Sequence, residues 1–174
     1  GPDLRLRLAA LMHDIGKPAT RRFMPDGTVT FHAHDYVGAR MTAKRMRALH
    51  FDKQTIKDVS RLVELHLRFH GYADSPWSDS AVRRYVTDAG PLLARLGCLT
   101  RADVTTGNRR KAAMLSHAYD DLERRIEALR QQEELASIRP ELDGQEIMAE
   151  LGIKPGPEVG KAYKFLLDLR MERG

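Results

Sequence analysis

Apolar side chains recur at steps of three and four along nearly the whole chain. That spacing gathers them on one face of a helix and leaves little room for a sheet-built fold. Leu4, Leu8, Leu11, Met12 and Ile15 follow it until Gly16 and Pro18 stop the helix. It resumes over 34–49 through Val37, Met41 and Ala48, and over 53–69 through Ile56, Val59, Leu62, Val63 and Phe69. Asp79 or Ser80 is placed to cap a helix reaching about Asp88. Gly90-Pro91 opens the next, with Leu92, Leu96, Leu99 and Asp103 on one stripe. A long helix is expected from Arg109 to about Ile138, ended by Pro140. Its Leu115, Tyr119, Leu122, Ile126 and Leu129 alternate in the manner of a packing seam. Asp143-Gly144 starts another helix, closed by Gly152, and Pro155-Gly156-Pro157 turns into a last one bearing Val159, Tyr163 and Leu166. Exceptions are few. Pro25-Asp26-Gly27 followed by 28–31 predicts an ordered loop or very short hairpin. Residues 71–80 read as a loop, and Thr105-Thr106-Gly107-Asn108 as a break. The expectation is an all-α protein: a compact helical bundle over 1–108, then a long helix and a C-terminal helical hairpin over 109–174.

Composition narrows the class. With 42% apolar and 30% charged residues, the chain is too apolar for disorder and too polar for a membrane protein. No run approaches the roughly 18 apolar residues of a membrane span. Cys98 is the single cysteine, which rules out an intrachain disulfide, and no secretion signal is visible. A cytoplasmic setting is the expectation. The net charge of +5 is uneven: residues 1–50 hold nine basic and four acidic side chains, a surplus of five. That bias suits a phosphate-bearing partner and an ordinary solvated surface equally.

Six of seven histidines lie in the first 70 residues: His13, His32, His34, His50, His66 and His70. Asp14 adjoins His13. An imidazole and a short carboxylate side by side reach one cation over a helix, with further ligands coming from other helices. A lone histidine in an apolar helix is, equally, an ordinary hydrogen-bonded core residue. Asp103 falls four after Leu99 and seven after Leu96, so it projects from an apolar stripe. A buried carboxylate is paired, protonated or bound to metal. His66, four after Leu62 and three after Val63, also faces the core side, with His70 one turn on. An i, i+4 histidine pair grips a metal or merely marks a helix edge meeting solvent. His and Asp from three separate helices predict a polar pocket inside the bundle. Mixed nitrogen and oxygen donors suit Mn, Fe, Co, Ni or Zn, and a more oxygen-rich set suits Mg.

The stretch LAALMHDIGKP, residues 8–18, resembles the signature helix of HD-domain metal-dependent phosphohydrolases, and His34, His66 and Asp103 follow in that superfamily's order. The stretches HDIGKPATRRF, FHAHDYVGARM, LVELHLRFHGY, LTRADVTTGNRRK and RPELDGQEIMAELGIKPGPEVGKAYKFLLDLR resemble the carboxy-terminal half of bacterial CCA-adding tRNA nucleotidyltransferases that carry an HD domain. The resemblance covers nearly the whole chain. It implies that His13, Asp14 and Asp103 hold a divalent metal ion, and that Lys17 contacts phosphate. It further implies that His34 and His66 hold a second metal, move a proton or bind phosphate. The substrates implied are phosphoesters of RNA or nucleotides, 2′,3′-cyclic phosphate ends among them. The resemblance also implies another histidine ligand upstream of His13 and a nucleotidyltransferase head. Neither occurs in these residues, so the sequence reads as a piece of a longer enzyme.

In the tail, Gly152, Gly156 and Gly160 surround a turn feeding a helix, and Lys154, Lys161 and Lys164 add positive charge. Helix-start N–H groups attract phosphate. By residues alone this is as well read as a plain hairpin with solvated lysines. The resemblance makes it part of a body that holds tRNA by shape and charge. Three functions therefore compete: an HD phosphohydrolase within a tRNA nucleotidyltransferase, a non-catalytic tRNA-binding module with a vestigial HD site, and a purely structural helical scaffold.

Overall fold

The computed structural model describes residues 3–75, 77–103, 108–133 and 140–173. The expected break at 105–107, the end of the long helix near Ile138, and Gly1-Pro2 lie outside them. The all-α expectation holds, with helices throughout and one two-stranded ribbon among the described residues. The chain divides into two compact units. One comprises Gly1–Pro76 with Asp88–Asp120, the other Trp77–Thr87 with Asp121–Gly174. No helix among the described residues is long and apolar enough to cross a membrane.

In the first unit, helix α1 (Leu4–Met12) starts at Asp3, whose carboxylate accepts from Leu6 N–H at 3.0 Å and from Arg95 Nε at 2.7 Å. The cap satisfies an amide that a helix start leaves orphaned. A tight turn then leads to α2 (Lys17–Thr20), with Pro18 in its first turn, where a missing N–H costs nothing. Strands β1 (Arg22–Phe23) and β2 (Val29–Thr30) pair antiparallel, Arg22 opposite Thr30 and Phe23 opposite Val29. Asp26 closes their turn by accepting from Thr28 N–H at 3.0 Å and from its hydroxyl at 2.7 Å. The short hairpin was expected, and its Asx-type turn explains it.

Helices α3 (His34–Ala48) and α4 (Lys53–Leu65) form the centre of this unit. Met46, Val59, Leu62, Val63 and, from α7 (Leu93–Ala102), Leu96 are fully buried. Each such side chain contributes about 1.5–3 kcal/mol relative to exposure. Asp58 is buried among them but paired, with Arg5 at 2.8 Å and Gln54 at 2.7 Å. The helix expected over 53–69 stops at Leu65, and the expected loop at 71–80 opens instead with a short helix α5 (His70–Asp74). Burial explains the difference. The chain kinks at His66, and Phe69 and Tyr72 turn inward, 1% and 5% exposed. Tertiary packing here overrides local turn propensity. The Phe69 and Tyr119 rings meet at 4.1 Å, Tyr119 lying on the first part of α8 (Arg109–Glu133).

The second unit holds most of α6 (Asp79–Ala89), the rest of α8, and helices α9 (Gly144–Leu151) and α10 (Pro157–Arg173). Val82, Tyr85, Leu122, Ile126, Leu129, Ile147 and Met171 are buried among its described residues. Arg125 donates to the Trp77 carbonyl at 2.8 Å and to Asp79 at 2.6 Å. Asp143 and Glu146 make a reciprocal capping box at the start of α9, and Gly152 ends it at φ 61°, in the left-handed region that favours glycine.

Candidate metal centre

Three histidines of the first unit are held by one device. His13 Nδ1 faces the Ala10 carbonyl at 2.8 Å, His34 Nδ1 the Phe31 carbonyl at 2.9 Å, and His66 Nδ1 the Val63 carbonyl at 2.6 Å. Each acceptor is three residues back. His13 and His66 are the C-caps of α1 and α4, so their partners are last-turn carbonyls that a helix leaves unpaired. A carbonyl only accepts, so each Nδ1 carries the proton and donates. In the neutral ring that leaves a lone pair on Nε2, the tautomer that ligates metals.

These Nε2 atoms converge. His13 and His66 rings lie 5.4 Å apart, His34 and His66 rings 5.3 Å apart. His13 Nε2 is 3.0 Å from Asp103 Oδ1 and 3.4 Å from Asp14 Oδ2. His34 Nε2 is 3.4 Å from Asp14 Oδ1. That approach lacks hydrogen-bond geometry, so His34 Nε2, like His66 Nε2, is buried without a hydrogen-bond partner. Donor atoms of Asp14, His34 and His66 all fall within 4.8 Å of one another. Bonds of about 2.1 Å at octahedral angles put neighbouring ligand atoms about 3.0 Å apart, and tetrahedral angles about 3.4 Å. The contacts of His13 with Asp103 and Asp14, and of His34 with Asp14, match that range. Two orphaned buried imidazole nitrogens beside carboxylates fit a divalent cation and fit nothing apolar.

Electrostatics follow from burial and from neighbours. Burial holds the His66 imidazole below its ordinary value. The nearby His13 and His34 push the same way, against the Val63 carbonyl and Asp103. Partial burial works to raise Asp14. The Lys17 hydrogen bond at 2.7 Å and the electrostatic influence of His13, Lys17 and His34 outweigh it, keeping the carboxyl below its usual range.

One close approach sets this geometry. A Cβ on Gly16 would stand 2.2 Å from the His34 carbonyl oxygen and 2.8 Å from Gly38 N, so only glycine lets the α1–α2 corner sit against α3. That contact brings Asp14 beside His34. In the sequence Gly16 is legible as a helix stop, while its closer role is visible only in three dimensions.

The other expected residues divide. Lys17 is at the site, hydrogen-bonded to Asp14 and 5.8 Å from the Phe31 ring. His32, His50 and His70 are exposed, and the kink at His66 removes the i, i+4 helical relation that His70 needs. Arg101 turns to Asp120 at 2.7 Å and to the Tyr119 ring rather than to Asp103. In the second unit Lys154, Lys161 and Lys164 are exposed, and Lys161 pairs with Glu158 at 2.8 Å. Sequence reasoning missed the carbonyls of Ala10, Phe31 and Val63, which carry no residue-type signal. The regular i−3 spacing is their only trace.

The family model described as "HD domain" matches residues 1–108, well over half of the chain. The chain belongs to the HD domain family. His13, Asp14, His34, His66 and Asp103 all fall inside the matched span. The chain is also 38% identical over 172 residues to a CC-adding tRNA nucleotidyltransferase of Thermus thermophilus, covering 97% of this chain and 36% of that protein. It is 37% identical over 171 residues to an A-adding tRNA nucleotidyltransferase of Deinococcus radiodurans, covering 97% and 38%. The chain thus spans little more than a third of the length of these relatives.

Proposed function

We propose that the first unit is a metal-dependent phosphohydrolase centre acting on phosphoesters of RNA or nucleotides, and that the chain works as part of a tRNA nucleotidyltransferase. The observation that carries the hydrolytic reading is the pair of buried, unpartnered Nε2 atoms on His34 and His66 facing Asp14. The tRNA reading rests on the two relatives, both named for adding nucleotides to tRNA.

Asp14, His34 and His66 are the residues that would hold the ion, with His13 and Asp103 near enough to join them. Mg, Mn, Fe, Ni and Zn all accept such mixed donors. When bound, a divalent ion acidifies a water and neutralises charge on a phosphoryl oxygen. The protein's own part is orientation. The three Nδ1–H donors lock the rings, so Nε2 lone pairs meet an incoming group without reorganisation. Lys17, tethered to Asp14, places an ammonium where a phosphoryl oxygen needs a counter-charge. In the second unit, exposed Lys154, Lys161 and Lys164 would hold the tRNA backbone by charge.

Mn²⁺ titration by calorimetry tests the centre. The wild-type chain should bind about one ion, and Asp14→Ala, His34→Ala and His66→Ala should each weaken binding more than about 100-fold, beyond the loss typical of residues that only orient ligands. Hydrolysis of 2′,3′-cyclic AMP should fall with it. Equal Mn²⁺ affinity in all four proteins would remove the centre and leave the module as a tRNA-holding scaffold.

A further inference from the structure

The groove between α3 and α4 of the first unit is a second feature with chemistry of its own. It encloses about 640 Å³, and its α3 wall carries Tyr36, Arg40, Lys44 and Arg47. At about 100° per residue these four fall within about 80° of the helix circumference, and their Cα atoms span about 16 Å. All four are exposed, Tyr36 by 57%. Among the described residues, none of the three cations takes part in an ion pair or side-chain hydrogen bond that would neutralise it. This contrasts with Arg5, Arg61, Arg68, Arg84, Arg95, Arg101 and Arg125, each matched to a carboxylate. The facing wall carries Ser60 and Glu64. Glu64 is held by Arg61 at 2.9 Å, so it does not cancel the stripe. Helix α3 thus holds four basic residues against one acidic, most of the surplus of the first fifty positions.

We propose that this groove is an RNA-backbone site, in which successive phosphates lie on Arg40, Lys44 and Arg47 while an unpaired base stacks on the Tyr36 ring. It rests on the reading that RNA is this chain's partner. Cations spaced about 4.5–6 Å along a helix reach neighbouring phosphates of one strand. An exposed aromatic ring beside them is what single-stranded nucleic acid uses and what an acidic peptide does not need. His34 points from α3 about 120° away from the centre of this stripe, so the groove anchors RNA on a face other than the metal centre's.

The test is anisotropy titration of labelled tRNA, and of a 12-nucleotide single strand, from 50 to 300 mM KCl. The proteins are the wild-type chain, the triple variant Arg40→Gln/Lys44→Gln/Arg47→Gln, Tyr36→Ala, Tyr36→Phe, and a tail variant Lys154→Gln/Lys161→Gln/Lys164→Gln. The groove triple should weaken binding at least about 10-fold at 100 mM salt and flatten the log–log salt slope by about 2, with melting temperature and Mn²⁺ affinity unchanged. Tyr36→Ala should lose about 5-fold or more, and Tyr36→Phe should retain binding. A groove triple with wild-type affinity and slope overturns the proposal. If the tail variant loses binding in that same experiment, the RNA reading survives without the groove. An effect of the cations with none from Tyr36→Ala also overturns it, leaving phosphates held by charge with no stacked base in the groove. Failure of the wild-type chain to bind either RNA removes both readings.

Discussion

The metal centre and the α9–α10 hairpin use polar groups in opposite ways. At the centre every imidazole is fixed through Nδ1 to a backbone carbonyl, and two of the three Nε2 atoms are buried with no partner. In the hairpin the lysines are exposed, and the one with a partner holds a glutamate a turn away. The first arrangement is costly unless something fills it, because desolvated nitrogen lone pairs have lost water for nothing. The second costs little and commits to no geometry. Preorganised burial suits chemistry on a small charged group, and solvated charge suits holding a long polyanion.

The two glycines that shape these regions test the contrast most strongly. Gly16 adopts an ordinary φ of −78° and is needed for space, whereas Gly152 has open space around it and is needed for its φ of 61°. Gly16→Ala should therefore cost about 3 kcal/mol, seen as a melting-point drop of about 6–12 °C, and should weaken Mn²⁺ binding as His34 shifts. Gly152→Ala should cost only about 1 kcal/mol and leave Mn²⁺ binding untouched. Equal losses would mean that the close contact at Gly16 relaxes freely.

The next effect separates the regions by pH. His66 has a folded pKa lowered from 6.5. Its proton is bound more readily by the unfolded chain, so stability is fully present above about pH 6.5 and falls as the pH drops through that value. In urea unfolding with EDTA present, the slope should approach, without exceeding, about 1.4 kcal/mol per pH unit for this one proton. His66→Gln should flatten it. A wild-type stability that stays level from pH 7.5 to 5.5 would show that His66 is solvated rather than buried.

The smallest effect belongs to the tail. Lys161→Ala should leave stability within about 0.5 kcal/mol, because the Lys161–Glu158 pair is exposed on both sides. It should lower tRNA affinity about 2-fold and reduce the salt slope by about 0.7–0.9, measured by anisotropy. A loss of stability would make the pair structural and shrink the contrast between the regions.

The order of helices was legible because each carries its own period and punctuation. Asp3 and Asp52 cap α1 and α4, Asp143 with Glu146 box the start of α9, and Gly152 ends it. These are local interactions, closed within four residues, so the sequence expresses them directly. The kink at His66 and the small helix at His70–Asp74 were not legible, since they depend on where Phe69 and Tyr72 find burial.

The site divides along the same line. Residue types and helical faces singled out His13, Asp14, His66 and Asp103, because a polar group on an apolar stripe is conspicuous in any helical chain, whereas His34 was marked only by the family resemblance. Their grouping was another matter. That Asp14 faces His34 and His66 follows from the corner after α1 packing on α3 and α4 at Gly16 and Gly38, and that His13 meets Asp103 at 3.0 Å follows from α1 packing on α7. The same holds for the basic stripe, visible in the sequence as mere excess charge. Local patterns fixed which groups this protein presents. Contacts between residues far apart in the chain decided which of them share a cavity, because distances across a packed core are set by backbone approach rather than by spacing along the chain.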